Sequence, residues 1–226
     1  MGKASDILWQ KRWALGLGAA IAAGVFFRLV WLYDVEYKGD EAWSFSEVKK
    51  YWETHTLRTI GMPSSAGLPN AGMSLWVFVA ISTILPIVDP LELTRSVQVL
   101  NIVAILFLTI FVQKSIPPHE REPWLFSVAL VSINPLAVLF SRKLWPPDIF
   151  PLFTLGLLVG WWHRGRRWGA FLWGLVGALL GQIQLAGFLF AAAFVGCTLL
   201  FNRRGVHWLA WFVGSILGAL PLMPWS

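Results

Sequence analysis

SLWVFVAISTILPIV, residues 74–88, is an apolar run of 15. Whether it crosses a membrane sets the direction of every segment after it. A crossing helix needs about 20 apolar residues, and Pro86 removes a backbone donor near the end of the run. Seven other stretches read as spans, near 13–33, 95–112, 124–140, 149–162, 168–182, 186–201 and 207–223, each apolar over most of its length. Charge decides the ambiguous stretch. If 74–88 does not cross, the N-terminus and the loops near 113–123, 163–168 and 202–207 share a face. That face carries Lys3, Lys11, Arg12, Lys114, Arg121, Arg164, Arg166, Arg167, Arg203 and Arg204 against Asp6, Glu120 and Glu122. The opposite face carries Lys38, Lys49, Lys50, Arg58, Arg142 and Lys143 against Asp34, Glu36, Asp40, Glu41, Glu47, Glu53, Asp89, Glu92 and Asp148. The positive-inside rule is then satisfied. A crossing at 74–88 would put HRGRR and NRR on the side away from Lys11 and Arg12. We therefore expect 74–88 to lie along or dip into the outer interface.

The expected fold is all-α: a polytopic transmembrane helical bundle of about seven spans, with its N-terminus in the cytoplasm. Residues 1–226 form a single transmembrane domain with a long outer loop over 34–94. Composition agrees. The chain is 57% hydrophobic and 13% charged, with a mean hydropathy of +0.63, which a soluble domain of this length rarely matches. The first apolar stretch is about 20 residues long and no A-x-A-like site follows it, so a cleaved leader is not expected. Many Trp and Tyr residues, among them Trp13, Tyr33, Trp124, Trp161 and Trp208, fall at expected span ends, as an interfacial aromatic belt requires. The net charge of +6 is spread over short loops, so it marks topology rather than nucleic-acid binding. The lone Cys197 makes no internal disulfide and no cysteine metal site.

The outer loop holds the candidate chemistry. Asp40 and Glu41 are adjacent acids just past the first span, a pairing suited to a general base or a bound cation. A solvated pair, or acids at a helix N-terminus, is the plainer alternative. SFSEVKKYWETH (44–55) spaces Phe45, Val48 and Trp52 one helical turn apart, as a surface amphipathic helix does. GMPSSAGLPNAG (61–72) is rich in Gly, Pro and Ser and is expected to be irregular, returning the chain toward the acids. Arg142 and Lys143 leave the third span on the outer side, against the topological bias, where an anionic phosphate would explain them. Snorkelling explains them too. Asp148 follows Pro147 and opens the fourth span, either as a helix cap or as an acid that orients an acceptor or an ion. Arg28 lies inside the first span and Arg95 opens the second; intramembrane arginines are functional candidates, with a salt bridge or an interfacial anchor as the alternative. Gln182 and Gln184 read first as amides that join helices. His55, Ser64, Ser65 and Asn70 are further polar residues near the acids.

The ordered set of Arg28, GDEAW (39–43), SSAGLPNAG (64–72), Arg95 and SRKLWPPD (141–148) resembles the GT-C superfamily of membrane glycosyltransferases. It is most similar to the family 39 branch of protein O-mannosyltransferases and the lipid A aminoarabinose transferase. The resemblance covers essentially the whole chain. One departure is Ala71-Gly72, where many relatives carry a proline pair. The resemblance implies an inverting transferase that moves a sugar from a polyprenyl-phosphate donor to an acceptor hydroxyl at the outer face of the cell membrane. In that scheme Asp40 is the base, Glu41 positions the acceptor, and Arg142, Lys143, Arg28 and Arg95 hold the donor phosphate. Asp148 positions the acceptor or an ion.

No cofactor and no required metal are expected, with a hard divalent cation on Asp40, Glu41 or Asp148 left as the alternative. Expected partners are the lipid-linked donor and membrane lipid, not nucleic acid. Superfamily members usually carry further spans, so the resemblance leaves three readings open: a C-terminal truncation, an unusually minimal member, or a partner chain that supplies the missing spans. Two other functions compete: a partial module that binds a polyprenyl lipid without transfer, and a small-solute transporter. No internal repeat supports the transporter.

Overall fold

A computed structural model describes residues 3–30, 33–63 and 67–225, with side chains in its terminal helices described from Trp13 to Met223. The chain is mostly helical. α1 (Lys3–Leu29) and α2 (Gly39–Thr54) are followed by a short hairpin, β1 (Ile60–Pro63) and β2 (Pro69–Ala71), and then α3 (Met73–Ile84). α4 (Pro90–Ser115), α5 (Arg121–Ile133), α6 (Pro135–Phe140), α7 (Phe150–Trp162), α8 (Arg167–Ile183), α9 (Ala186–Phe201) and α10 (Trp208–Ala219) complete the set. Among the described residues, only α4 is by itself long and apolar enough to cross a membrane; Trp13–Leu29, Met73–Ile84, Ala186–Phe201 and Trp208–Met223 are shorter apolar helices.

α4 starts before the expected Arg95 because Asp89 caps it. Its Oδ1 accepts from the Leu91 N–H at 2.6 Å and the Glu92 N–H at 3.3 Å, and Pro90 fits the first turn without needing a donor.

The stretch expected as one span over 124–140 is instead two helices. Pro135 has no N–H for the Val131 carbonyl. The Asn134 Oδ1 accepts the N–H groups of Leu136 at 2.9 Å and Ala137 at 3.1 Å, so α6 starts afresh with its own cap. Residues 61–72 also depart from expectation, since Ile60 pairs with Ala71 and Pro63 with Pro69 in the antiparallel hairpin. Gly61 allows it: a Cβ there would collide with the Ala71 carbonyl and the Ser74 hydroxyl. The Asn70 amide fixes the register by donating to the Met62 carbonyl at 2.9 Å. Ser64 and Ser65 lie outside the described residues.

α8 packs against α7, α9 and α10, and α1 against α5 and α4. The α8–α10 seam is made by glycine. A Cβ on Gly174 would strike the Trp211 carbonyl, one on Gly214 the Phe171 carbonyl, and one on Gly218 the Leu175 carbonyl. Such backbone approach is how small residues pack helices closely.

The loops sort to two poles. At one, Phe111 meets Trp124 and His163, Trp124 meets Trp162, and the His207 N–H donates to the Arg164 carbonyl at 3.1 Å. This basic pole gathers the chain ends of α4, α5, α7, α8 and α10. The opposite, acidic pole is built on a core of Phe45, Val48, Phe78, Leu93, Leu144 and Ile183, which fastens α2 and α3 to α4 and α8. α2 begins five residues earlier than the expected 44–55, with Asp40 and Glu41 in its first turn. Phe45 and Val48 are buried, whereas Trp52 stays 37% exposed at the margin of the packed face.

Candidate functional site

The two acids that the sequence pairs are held differently. Asp40 is exposed at the start of α2. Glu41 is buried, and its Oε2 accepts the Lys38 backbone N–H at 3.1 Å. That bond satisfies a donor which a helix start would otherwise leave open, so Glu41 builds the helix that presents Asp40.

Arg142 and Lys143 follow α6 and reach the segment joining α1 to α2. The Arg142 guanidinium donates to the Asp34 carbonyl at 2.7 Å and the Phe27 carbonyl at 3.4 Å. Lys143 pairs with Glu36, and its Nζ sits 5.5 Å from the centre of the Phe140 ring. Glu36 also pairs with Lys38 at 2.8 Å. The bonds from Lys143 and then Lys38 hold the Glu36 carboxyl down at about 2, so it stays ionised throughout the neutral range.

Three cavities meet here. A groove of about 570 Å³ has apolar walls from Phe27, Ile133, Pro135, Val138 and Leu139, with Arg142 and Lys143 on its rim. A polar pocket of about 340 Å³ holds Asp40, Glu41, Lys38 and Trp145. Glu36 and Lys143 line both. A third cavity of about 240 Å³ lies beneath, lined by Arg28, Asn101, Ser141, Trp145 and Asp148; Phe140 and Trp145 separate it from the polar pocket.

Asp148 is 3% exposed and sits in the short helical turn that leads into α7. Its Oδ2 accepts the Trp145 N–H at 3.2 Å, and its Oδ1 has no protein partner. The Asn101 amide holds the Asp148 carbonyl at 2.7 Å, tying this turn to α4. Burial pushes the carboxyl up to about 9, reinforced by nearby Glu41 and opposed by the Trp145 N–H and Lys143. At neutral pH it is an uncharged acid, able to donate a hydrogen bond.

Arg28 mends the break between α5 and α6. Its guanidinium donates to the Ser132 carbonyl at 2.7 Å, to Val131 at 3.4 Å, and to Gly24 of its own helix at 3.0 Å. The Val131 and Ser132 carbonyls are those that Pro135 and the Asn134 cap leave without a helical partner.

Arg95 is half-buried, with its guanidinium 4.8 Å from the centre of the Tyr33 ring, and lines none of the three cavities. Gln182 joins helices, as its first reading has it: its amide donates to the Ala178 carbonyl of its own helix at 2.9 Å and to the Gly218 carbonyl of α10 at 2.5 Å.

Asp40, Glu41 and Lys143 therefore share one pocket, Arg142 shares the adjoining groove, and Asp148 and Arg28 share a chamber behind them. Sequence reasoning missed Glu36, Lys38, Asn101 and Trp145. Only Glu36 and Lys38 carried a signal, as charges flanking the acid pair. Among the described residues no group of three or more His, Cys, Asp and Glu side chains gathers to hold a metal. No family model, curated protein or solved structure matches the chain.

Proposed function

We propose that the chain is a seven-span membrane glycosyltransferase of GT-C type, with its basic pole in the cytoplasm and its acidic pole outside. It moves a sugar from a polyprenyl-phosphate donor to an acceptor hydroxyl. Asp40 takes the hydroxyl proton as the oxygen attacks the anomeric carbon. The bond from that carbon to the phosphate oxygen breaks, and the lipid phosphate leaves with the electron pair, held by Arg142 and Lys143.

One observation carries this reading: an apolar groove with a cationic rim opens beside a polar pocket that contains a solvent-facing carboxylate, and Lys143 lines both. An amphiphile with an anionic headgroup fits that junction, tail in the groove and sugar beside Asp40. Broad apolar exposure supports the membrane setting, with Leu15, Leu189, Leu200 and Leu209 each more than 70% exposed. The sequence resemblance and the charge division between poles agree with it.

The test uses the full chain in nanodiscs. Arg142→Ala/Lys143→Ala should weaken binding of a polyprenyl-phosphate sugar by ten-fold or more, since each charge-assisted bond contributes about 1.5–3 kcal/mol. Asp40→Ala should keep binding and lose transfer by roughly 10²–10⁴-fold, the usual contribution of a general base. Donor binding with no transfer to any acceptor would favour a lipid-holding module. Full turnover by Asp40→Ala would end the mechanism.

A further inference from the structure

We propose that Lys38 and Lys143 form the seat for the phosphate ester of the ligand, and that Glu36 is an internal occupant which leaves that seat when the headgroup arrives. This rests on the lipid-phosphate reading of the groove and adds to it a binding residue, Lys38, and a competitor, Glu36.

The Glu36 carboxylate lies between two ammonium groups, paired with Lys38 at 2.8 Å and with Lys143. An anion in contact with two lysines at the mouth of an amphiphilic groove occupies the position that a phosphate ester would take. Residues 34–37 belong to no helix or strand, so the carboxylate is free to swing without unravelling an element. The segment is anchored at its base, where Arg142 holds the Asp34 carbonyl. Glu36 is also partly open to solvent, with 30% of its side chain exposed.

Charge gives the exchange its direction. Two lysines and one glutamate leave the trio at +1, and departure of Glu36 raises the seat to +2, matching a phosphate better than a carboxylate does. The nearby Asp40 and Glu41 repel an anion from the rest of the pocket, so it is accepted at the two lysines, beside Arg142 of the adjoining groove. Because Glu36 remains ionised down to about pH 2, protonation does not clear the seat in the neutral range; a competing anion must.

The experiment measures binding of polyprenyl phosphate and, separately, of inorganic phosphate to the full chain in nanodiscs of neutral lipid. Wild type, Glu36→Gln, Lys38→Ala and Arg142→Ala/Lys143→Ala are compared. Glu36→Gln keeps the shape and removes the competing charge, so polyprenyl phosphate should bind roughly ten-fold tighter, as expected when an occluded site becomes fully competent. Lys38→Ala, at a side chain 77% exposed, should weaken binding several-fold without loss of folding. The same pattern with inorganic phosphate would mean that the headgroup alone suffices; the pattern with the lipid only would mean that the tail is required. Both support the seat. Affinity unchanged or reduced in Glu36→Gln, while Arg142→Ala/Lys143→Ala still weakens lipid binding by ten-fold or more, overturns the seat and leaves the functional reading standing. No binding by wild type or any variant overturns both.

Discussion

Arg28 and Asp148 face the same problem, an ionisable group taken out of water, and solve it oppositely. Arg28 keeps its charge and spreads it over carbonyl oxygens that a proline left bare. Replacing it with methionine should strand the Val131 and Ser132 carbonyls at about 1–3 kcal/mol each, read as a lower unfolding midpoint in detergent. Donor affinity in the molecules that remain folded should be unchanged; a phosphate ligand would show the reverse pattern. Asp148 instead gives up its charge. Its folded pKa of about 9 lies above its ordinary value of 3.8, so the folded state binds the proton more tightly than the unfolded chain. Stability from this group is fully present below about pH 4 and is lost as pH rises toward 9. Asp148→Asn, which mimics the neutral acid, should flatten that dependence: between pH 5 and 9 the wild-type midpoint falls relative to the variant. Parallel curves would mean that Asp148 is ionised.

The contacts between helices also divide into two kinds. α5 and α6 are separated by a break that side chains repair, with Asn134 capping one side and Arg28 filling the other. α8 and α10 meet with no side chain between their backbones at Gly174, Gly214 and Gly218. An added methyl at Gly174 has nowhere to go, so Gly174→Ala should cost at least about 1–3 kcal/mol, the usual penalty of overpacking. A Cβ on Gly196 of α9, by contrast, would meet no atom within 4 Å. Gly196→Ala should therefore be neutral or stabilising, by up to about 1 kcal/mol from helix propensity. Thermal unfolding of the two variants side by side checks both, and equal midpoints would mean that the seam is looser than described.

At the scale of the whole molecule, the sequence told most where information is local. The helical character and the buried Phe45 and Val48 of α2 follow from patterns within a few turns, whereas the cap at Asp89, though local too, lay outside the expected span and was missed. The Asn134-Pro135 break was equally local, a dipeptide that favours a fresh start, but the apolar run around it masked it. The hairpin was hidden because glycine and proline content signals irregularity, while its pairing depends on Ser74 and Ala71 packing against Gly61. Grouping Asp40, Glu41, Arg142 and Lys143 drew on their common side in the expected topology and on the family resemblance, and the structure does bring them to one pole. What composition could not convey is that Lys143 spends its charge on Glu36, more than a hundred positions earlier, or that Arg95 turns to Tyr33 instead. Pairings at that distance are set by how helices cross.

Such distances also have a meaning in time. Arg28 leaves the ribosome 104 residues before the Ser132 carbonyl that receives it. At about 5–20 residues per second, the first helix waits roughly 5–20 s with its guanidinium lacking that acceptor. Until α5 is synthesised, α1 is provisional, and its final packing is fixed by a segment that does not yet exist.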